Sequence, residues 1–246
     1  MKVELLFGLC VCLLAISFLY SSVGHAGASG YLAIMSLFGL SPEFIRPAAL
    51  VLNIVVAGMA AWQFYRAGYF HWPTFWPFAV LSLPCAFLGG GLEVPVQVFK
   101  LLLSLVLLVS AGLLLVRMKT ADEATLPSRT VSLAVGAGLG FVAGVTGTGG
   151  GIFLTPVLIL FRWTKTKTAS AISALFILVN SIAGLLGVTA HARQLPAVDA
   201  LAPMLITVLV GGTIGSYLGS RIFSREVIKR MLAVVLAIAS FKLMLG

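Results

Sequence analysis

Two glycine-rich interruptions of long apolar stretches constrain the fold of this chain more than any other feature. GHAGASG at 24–30 interrupts the first apolar stretch, and GVTGTGGG at 144–151 interrupts another in the second half. Glycine adopts backbone angles that other residues avoid. Within a membrane, such a break persists only where protein buries it or water reaches it. Two matched breaks therefore predict a substrate site where two repeats meet, as in secondary transporters.

The composition predicts an all-α polytopic membrane protein. Hydrophobic residues make up 60% of the chain and charged residues 9%, whereas a soluble domain carries about 25% charged residues. Eight apolar stretches approach the roughly 20 residues that a span needs: 5–23, 48–64, 72–91, 101–116, 131–145, 168–190, 201–218 and 231–245. The polar segment 119–129 is the expected linker between a first transmembrane repeat, 1–118, and a second, 130–246.

The net charge of +9 comes from basic residues in loops, which is typical of topology signals and of contact with anionic lipid. Nucleic-acid binding would need a basic face on a folded domain, and the sequence predicts none. The expected partners are the lipid bilayer and a small anionic substrate, with no cofactor and no metal. A homo-oligomer stays an open alternative. The first apolar stretch follows Lys2 as in a signal peptide, but a cleavage site is not convincing, so we expect it to be retained.

An internal duplication runs through nearly the whole chain. A shift of about 120 residues pairs three glycines of each break: Gly24 with Gly144, Gly27 with Gly147 and Gly30 with Gly150. Further along, similar short sequences begin at Asn53 and Asn180, at Leu88 and Leu218, and at Val98 and Val227. Because the matches keep their order, they indicate two homologous repeats, a pattern that transporter folds show.

The charge distribution favours an inverted arrangement of the repeats. The runs 31–40 and 152–161 are short, so the fold prediction is eight full spans plus two short broken or re-entrant segments. If both runs re-enter, the 16 Lys and Arg residues divide almost evenly across the membrane; if both cross, eleven share one side, as the positive-inside rule prefers. The other five are Lys2, Arg46, Lys100, Arg193 and Lys242. Crossing would place the repeats antiparallel and both termini outside, but the choice stays open.

The second break has the composition of an anion site. Glycine-rich backbone at a helix start exposes N–H groups with partial positive charge. A nucleotide-binding phosphate loop would end in Gly-Lys-Ser/Thr, whereas Gly151 is followed by Ile152. The predicted substrate-binding residues are Gly27, Ser29, Gly30, Asn53, Thr146, Gly147, Thr148, Gly149, Gly150 and Asn180, with the hydroxyls as additional donors. The alternative is that these glycines only allow close helix packing, the role expected of the glycine rows 136–144 and 211–219.

The polar residues within apolar runs are few. Asn53 and Asn180 each need a partner there, so they either cap a broken helix or line the site. His25 is the candidate for substrate specificity or proton coupling, with a structural role as the alternative. Acidic residues stand only at segment ends or in loops, so the spans lack the carboxylates typical of proton relays. This pattern favours an anion as substrate.

One enzyme hypothesis has a sequence basis. Gly27-Ala28-Ser29-Gly30 matches the Gly-x-Ser-Gly of rhomboid intramembrane proteases, whose serine nucleophile needs a histidine base within hydrogen-bond reach. His191 follows Ala190 as in those enzymes. The downstream glycines are missing, and the rhomboid fold has no such duplication. We therefore expect a transporter rather than an enzyme.

The motifs also resemble a known family. Gly147-Thr148-Gly149-Gly150-Gly151 followed by Pro156, the echo at 24–30 and Asn180 in the next helix are similar to the TauE/SafE sulfite exporter family over nearly the whole chain. This resemblance implies a multi-pass protein of the bacterial cytoplasmic (inner) membrane that exports sulfite or a related organosulfur or carboxylate anion. The alternatives are an anion importer or a channel-like conductor. In the expected mechanism, the two breaks meet near the midplane and rocking of the repeats alternates access.

Overall fold

The computed structural model describes residues 3–22, 26–115, 125–191, 195–219, 237, 240 and 241, and every regular element within these ranges is helical. The helices are α1 (Val3–Ser22), α2 (Ala28–Leu37), α3 (Pro42–Arg66), α4 (Trp72–Gly91), α5 (Val96–Leu115), α6 (Arg129–Thr146), α7 (Gly151–Leu160), α8 (Thr166–Ala190) and α9 (Val198–Gly219). The prediction of an all-helical protein is therefore confirmed for the described part of the chain.

Six of these helices, α1, α3, α4, α6, α8 and α9, are long and apolar enough to cross a membrane. They coincide with six of the eight predicted spans. The stretch 101–116 lies in α5, whose qualifying apolar part, Val96–Val109, is shorter, and the stretch 231–245 lies almost wholly outside the described residues. Large apolar side chains such as Phe7, Leu101 and Ile206 are exposed, which is the surface that lipid would cover.

The two short helices, α2 and α7, follow the breaks and have ten residues each. Each begins after a glycine in the left-handed region, Gly27 (φ 92°) and Gly150 (φ 75°). The next helices, α3 and α8, have 25 residues each. Gly27 and Gly150 therefore hold the same position before a ten-residue helix, whereas the sequence pairs Gly27 with Gly147.

Glycine faces bring helices of the two halves into backbone contact. A Cβ added to each glycine of the α6 face would overlap an α4 carbonyl oxygen: Gly136 that of Phe78, Gly140 that of Ser82 and Gly144 that of Ala86. The α9 face, Gly211 and Gly215, meets the carbonyls of Leu14 and Phe18 on α1 in the same way. The predicted packing role of these glycines is confirmed. Because residue numbers rise together in both sets, α4 runs parallel to α6 and α1 runs parallel to α9.

The helix after each break runs back towards the start of the helix before it. Ser29 and Tyr31 of α2 bond Tyr20 and Ser17 of α1 in reverse order, so α2 runs antiparallel to α1. The backbone N–H of Thr125, just before α6, donates to the carbonyl of Arg162, just after α7 (3.1 Å).

The long helices α3 and α8 are also antiparallel, because Gly184 approaches the Leu50 side chain and Gly58 approaches that of Leu178.

One end of the bundle gathers basic and aromatic residues. Lys167 Nζ donates to Tyr69 Oη (3.0 Å), and the guanidinium groups of Arg66 and Arg129 lie over the rings of Trp62 and Trp76. Such pairs are typical of a membrane interface. The connections after α3 and α7 and those before α6 and α8 thus share one end of the molecule.

Candidate functional site

The second break is a four-residue link whose geometry requires glycine. Gly147 (φ 81°), Gly149 (φ 71°) and Gly150 (φ 75°) all adopt left-handed backbone, which side chains make costly. There is also no room for a side chain, since a Cβ on Gly149 would lie 2.7 Å from Ile177 Cγ2 and one on Gly150 would lie 2.9 Å from Phe176 Cε1. The break is therefore seated against α8.

The link leaves a row of backbone donors without acceptors. Gly147 N–H donates to Ala143 O (2.8 Å), and Phe153 and Leu154 both donate to Gly150 O. Within the described ranges, no residue accepts a hydrogen bond from the N–H groups of 148–152. These donors stand at the N-terminus of α7, where the helix dipole adds partial positive charge. A row of N–H groups at a helix start is suited to binding an anion.

The two threonines of the break are buried and bonded to each other. Thr146 Oγ1 donates to the carbonyl of Val142 (2.7 Å), and it lies 3.0 Å from Thr148 Oγ1. A hydroxyl has one proton, so Thr148 must be the donor in the second bond. Both protons are therefore in use in this structure, and the hydroxyls keep free lone pairs. Their role as donors to a substrate stays a prediction.

The structure brings Asn53 of the first half to the second break. Asn53 Nδ2 donates to Gly147 O (3.1 Å), so the amide of α3 supports the carbonyl just before the row of donors. Asn180 Nδ2 donates to Phe176 O of its own helix (2.8 Å). Both side chains are fully buried, but they are not equivalent in position, because Asn180 stands one turn further into its helix than Asn53 does.

Sequence reasoning missed Arg46 as a buried residue of this region. Its side chain is 4% exposed, so the expectation of a loop charge at the membrane surface is wrong. Nε donates to Gly144 O (3.0 Å) and Nη1 to Leu92 O (3.1 Å), while Nη2 donates to the carbonyls of Gly89 and Gly90. Its carbonyl oxygen also lies 3.1 Å from the position of a Cβ on Gly147. A fixed cation thus joins α3, α4 and α6 beside the break.

The first break has a different chemistry. Gly27 caps the start of α2, and a Cβ there would lie 2.8 Å from the Tyr31 ring. Ser29 Oγ is buried and lies 2.7 Å from Tyr20 Oη, and a Cβ on Gly30 would overlap Ile16. These contacts are with α1 and within α2, and none of the described hydrogen bonds joins them to the second break. His25 and Gly24 lie outside the described residues.

Ser29 and His191 have separate partners. His191 Nδ1 lies 2.9 Å from Gly187 O, and its ring approaches Gly91, whereas Ser29 pairs with Tyr20. The hydrogen-bonded serine–histidine pair that the protease hypothesis needs is therefore not formed in this structure.

Comparison with known proteins identifies the family. The sequence profile described as "Sulfite exporter TauE/SafE" matches residues 9–243. The chain belongs to the TauE/SafE family. A curated protein of similar sequence, the "Probable membrane transporter protein y4hK" of Sinorhizobium fredii (strain NBRC 101917 / NGR234), is 39% identical over 243 residues, covering 96% of this chain and 97% of that protein. No solved structure matches the chain. This TauE/SafE protein is thus a membrane transporter by family, as the motifs at 147–151 predicted.

Proposed function

We propose that this TauE/SafE protein exports a small oxyanion, such as sulfite or a related organosulfur or carboxylate anion, and that the anion binds at the second break. The observation that carries the proposal is the row of buried N–H groups at 148–152 with no acceptor among the described residues. A buried donor without a partner costs about 1–3 kcal/mol, so an anionic ligand there would recover that cost. The Arg46 cation beside Gly147 adds a favourable field for an anion.

The proposed topology is two inverted repeats with five segments each and both termini outside. Three observations support it: α4 and α6 run parallel, α3 and α8 run antiparallel, and the connections at 67–71 and 161–165 share an end with Arg66, Arg129 and Lys167. Re-entrant short segments would have put Arg66 and Arg162 on opposite sides. The basic end would face the cytoplasm of a bacterial cell.

Outward transport needs no coupling ion in this proposal. An anion leaving a cell whose interior is negative gains about 2.3 kcal/mol per charge per 100 mV. An importer or a channel-like conductor would use the same site with a different gate.

The test is flux of sulfite from liposomes that contain the purified protein, with the variants Gly149→Ala and Gly138→Ala. A Cβ at Gly149 would collide with Ile177 and strain the left-handed backbone, while one at Gly138 would meet nothing within 4 Å. We expect Gly149→Ala to lose at least about tenfold in flux, and Gly138→Ala to keep the wild-type rate. Wild-type liposomes that leak no faster than empty ones for sulfite and for small carboxylates would contradict the proposed function. Equal flux in the two variants would contradict the site.

A further inference from the structure

The orientations of the two buried amides follow from their partners. Gly147 O and Phe176 O are carbonyls and only accept, so the atoms that contact them must be the Nδ2 groups of Asn53 and Asn180. Rotating either amide would set two oxygens against each other. The Oδ1 atoms of Asn53 and Asn180 are therefore acceptors, and both are buried without a hydrogen-bond partner among the described residues.

Ser181 adds a third buried polar atom, a hydroxyl that can both donate and accept. Its Oγ is buried with no partner in the described part of the chain, and it lies 3.0 Å from the position of a Cβ on Gly149. Asn53 also reaches the break directly through Gly147 O. Asn180 lies between Ile177 and Ser181 on α8, the helix against which Gly149 and Gly151 pack.

The second break therefore offers donors and acceptors from different sources. The backbone at 148–152 supplies N–H donors, and Asn53, which is bonded to Gly147 O, holds an unpaired acceptor oxygen beside them. Asn180 Oδ1 is a second unpaired acceptor, on the helix that packs against the break. The Thr146–Thr148 pair also presents lone pairs, because both of its protons are already used. An anion with no hydrogen of its own would satisfy the donors but would face unpaired acceptors, which are costly when buried.

We propose that the substrate anion carries a hydrogen-bond donor of its own and presents it to the acceptors Asn53 and Asn180. That donor is either the acid proton of a singly ionised oxyanion or a hydroxyl group on a sulfonate or carboxylate. The anionic oxygens bind the N–H groups of 148–152, and the donor points to the amide oxygens. This inference rests on the proposed function and specifies the substrate class of the same site.

The first arm of the experiment compares two anions of equal charge in the liposome assay, 2-hydroxyethanesulfonate and ethanesulfonate, which differ by one hydroxyl. We expect the hydroxylated anion to be carried roughly tenfold faster, the effect of one satisfied buried acceptor. In Asn53→Leu and in Asn180→Leu the ratio should fall towards one. Gln63→Leu, which removes an exposed amide from α3, should keep the wild-type ratio.

The second arm separates the two donor sources by measuring sulfite flux with equal pH on both sides of the membrane. Flux that follows the concentration of hydrogen sulfite as pH rises supports an acid proton as the donor. Flux that follows the fully ionised form, together with equal rates for the two sulfonates in the wild type, would overturn the inference while leaving anion transport intact. Absence of flux for sulfite and both sulfonates would instead overturn the proposed function. Because the readout is a ratio, a variant that is merely less active does not imitate the result.

Discussion

At the scale of single residues, Arg46 holds the region of the second break together. Its guanidinium donates to four carbonyls, two at the last residues of α4, one just after it and one on α6. The C-terminal carbonyls of a helix have no partners within that helix, and cations are favourable there. The fork of an arginine reaches several such oxygens at once, which the single ammonium of a lysine does not.

We therefore expect Arg46→Leu to lower the free energy of unfolding by about 3 kcal/mol, because each buried carbonyl left without a donor costs about 1–3 kcal/mol. Arg46→Lys should lose less, since the charge stays. The measurement is thermal unfolding in detergent, with Arg66→Leu as the control because Arg66 is exposed. A melting temperature of Arg46→Leu that equals that of Arg66→Leu would contradict the structural role.

The sequence located the second break and Asn53, but it placed Arg46 in a loop. Glycines and in-membrane amides are visible locally, since each stands out in an apolar run. The partners of Arg46 lie 43 to 98 positions away along the chain, and such contacts leave no local pattern. A signal was nevertheless present, because Arg46 is flanked by Phe44-Ile45 and Pro47-Ala48, and an ionisable residue within apolar sequence is a functional candidate by default.

At the scale of helices, the α6 glycine face decides how closely α4 and α6 approach. Gly140 meets the backbone of Ser82, which has no flexible end that could move aside. Overpacking of a tight contact costs about 1–3 kcal/mol or more. Gly140→Val should therefore reduce the yield of folded protein and its melting temperature, whereas Gly138→Val on the same helix should change little. Size-exclusion profiles of the two variants in detergent check this, and identical profiles would count against the role of the face.

The role of an individual glycine was harder to predict than the packing of a row of glycines. The four-residue spacing of Gly136, Gly140 and Gly144 indicated packing correctly, because the period of a helix is a local property. The sequence pairs Gly27 with Gly147, whereas Gly150 is the glycine that caps the start of α7. The second break contains several closely spaced glycines, and only backbone angles show which of them precedes the helix. Gly147 caps the end of α6 and Gly150 caps the start of α7, and composition does not distinguish these two roles.

At the scale of the whole molecule, the proposed inverted topology makes a prediction for two residues that hold matching positions before α3 and α8. Ser41 and Lys165 each immediately precede a 25-residue helix, and both are exposed. In a variant whose native cysteines are replaced, we expect Ser41→Cys to react with an impermeant thiol reagent from outside intact cells, and Lys165→Cys to react only after the membrane is opened. Re-entrant short segments would place both on the same side, so labelling of both from one side would contradict the proposal.

The packing also bears on how access could alternate. Because α4 is locked to α6 and α1 to α9 through glycine faces, the two sequence halves are not separate rigid bodies. A motion that parted residues 1–118 from residues 130–246 would break both backbone contacts. Rigid units that move would instead contain α4 with α6, or α1 with α9, and would each draw helices from both repeats.

The same glycine faces set the order in which the protein can mature. During synthesis, α1 is made long before α9, and α4 is made before α6, so the carbonyl surfaces that will receive the glycines exist before their partners do. The helices of the amino-terminal half are therefore made before the helices that they pack against. A chain that stopped between α4 and α6 would therefore expose helix faces of α1 and α4 that the complete protein covers.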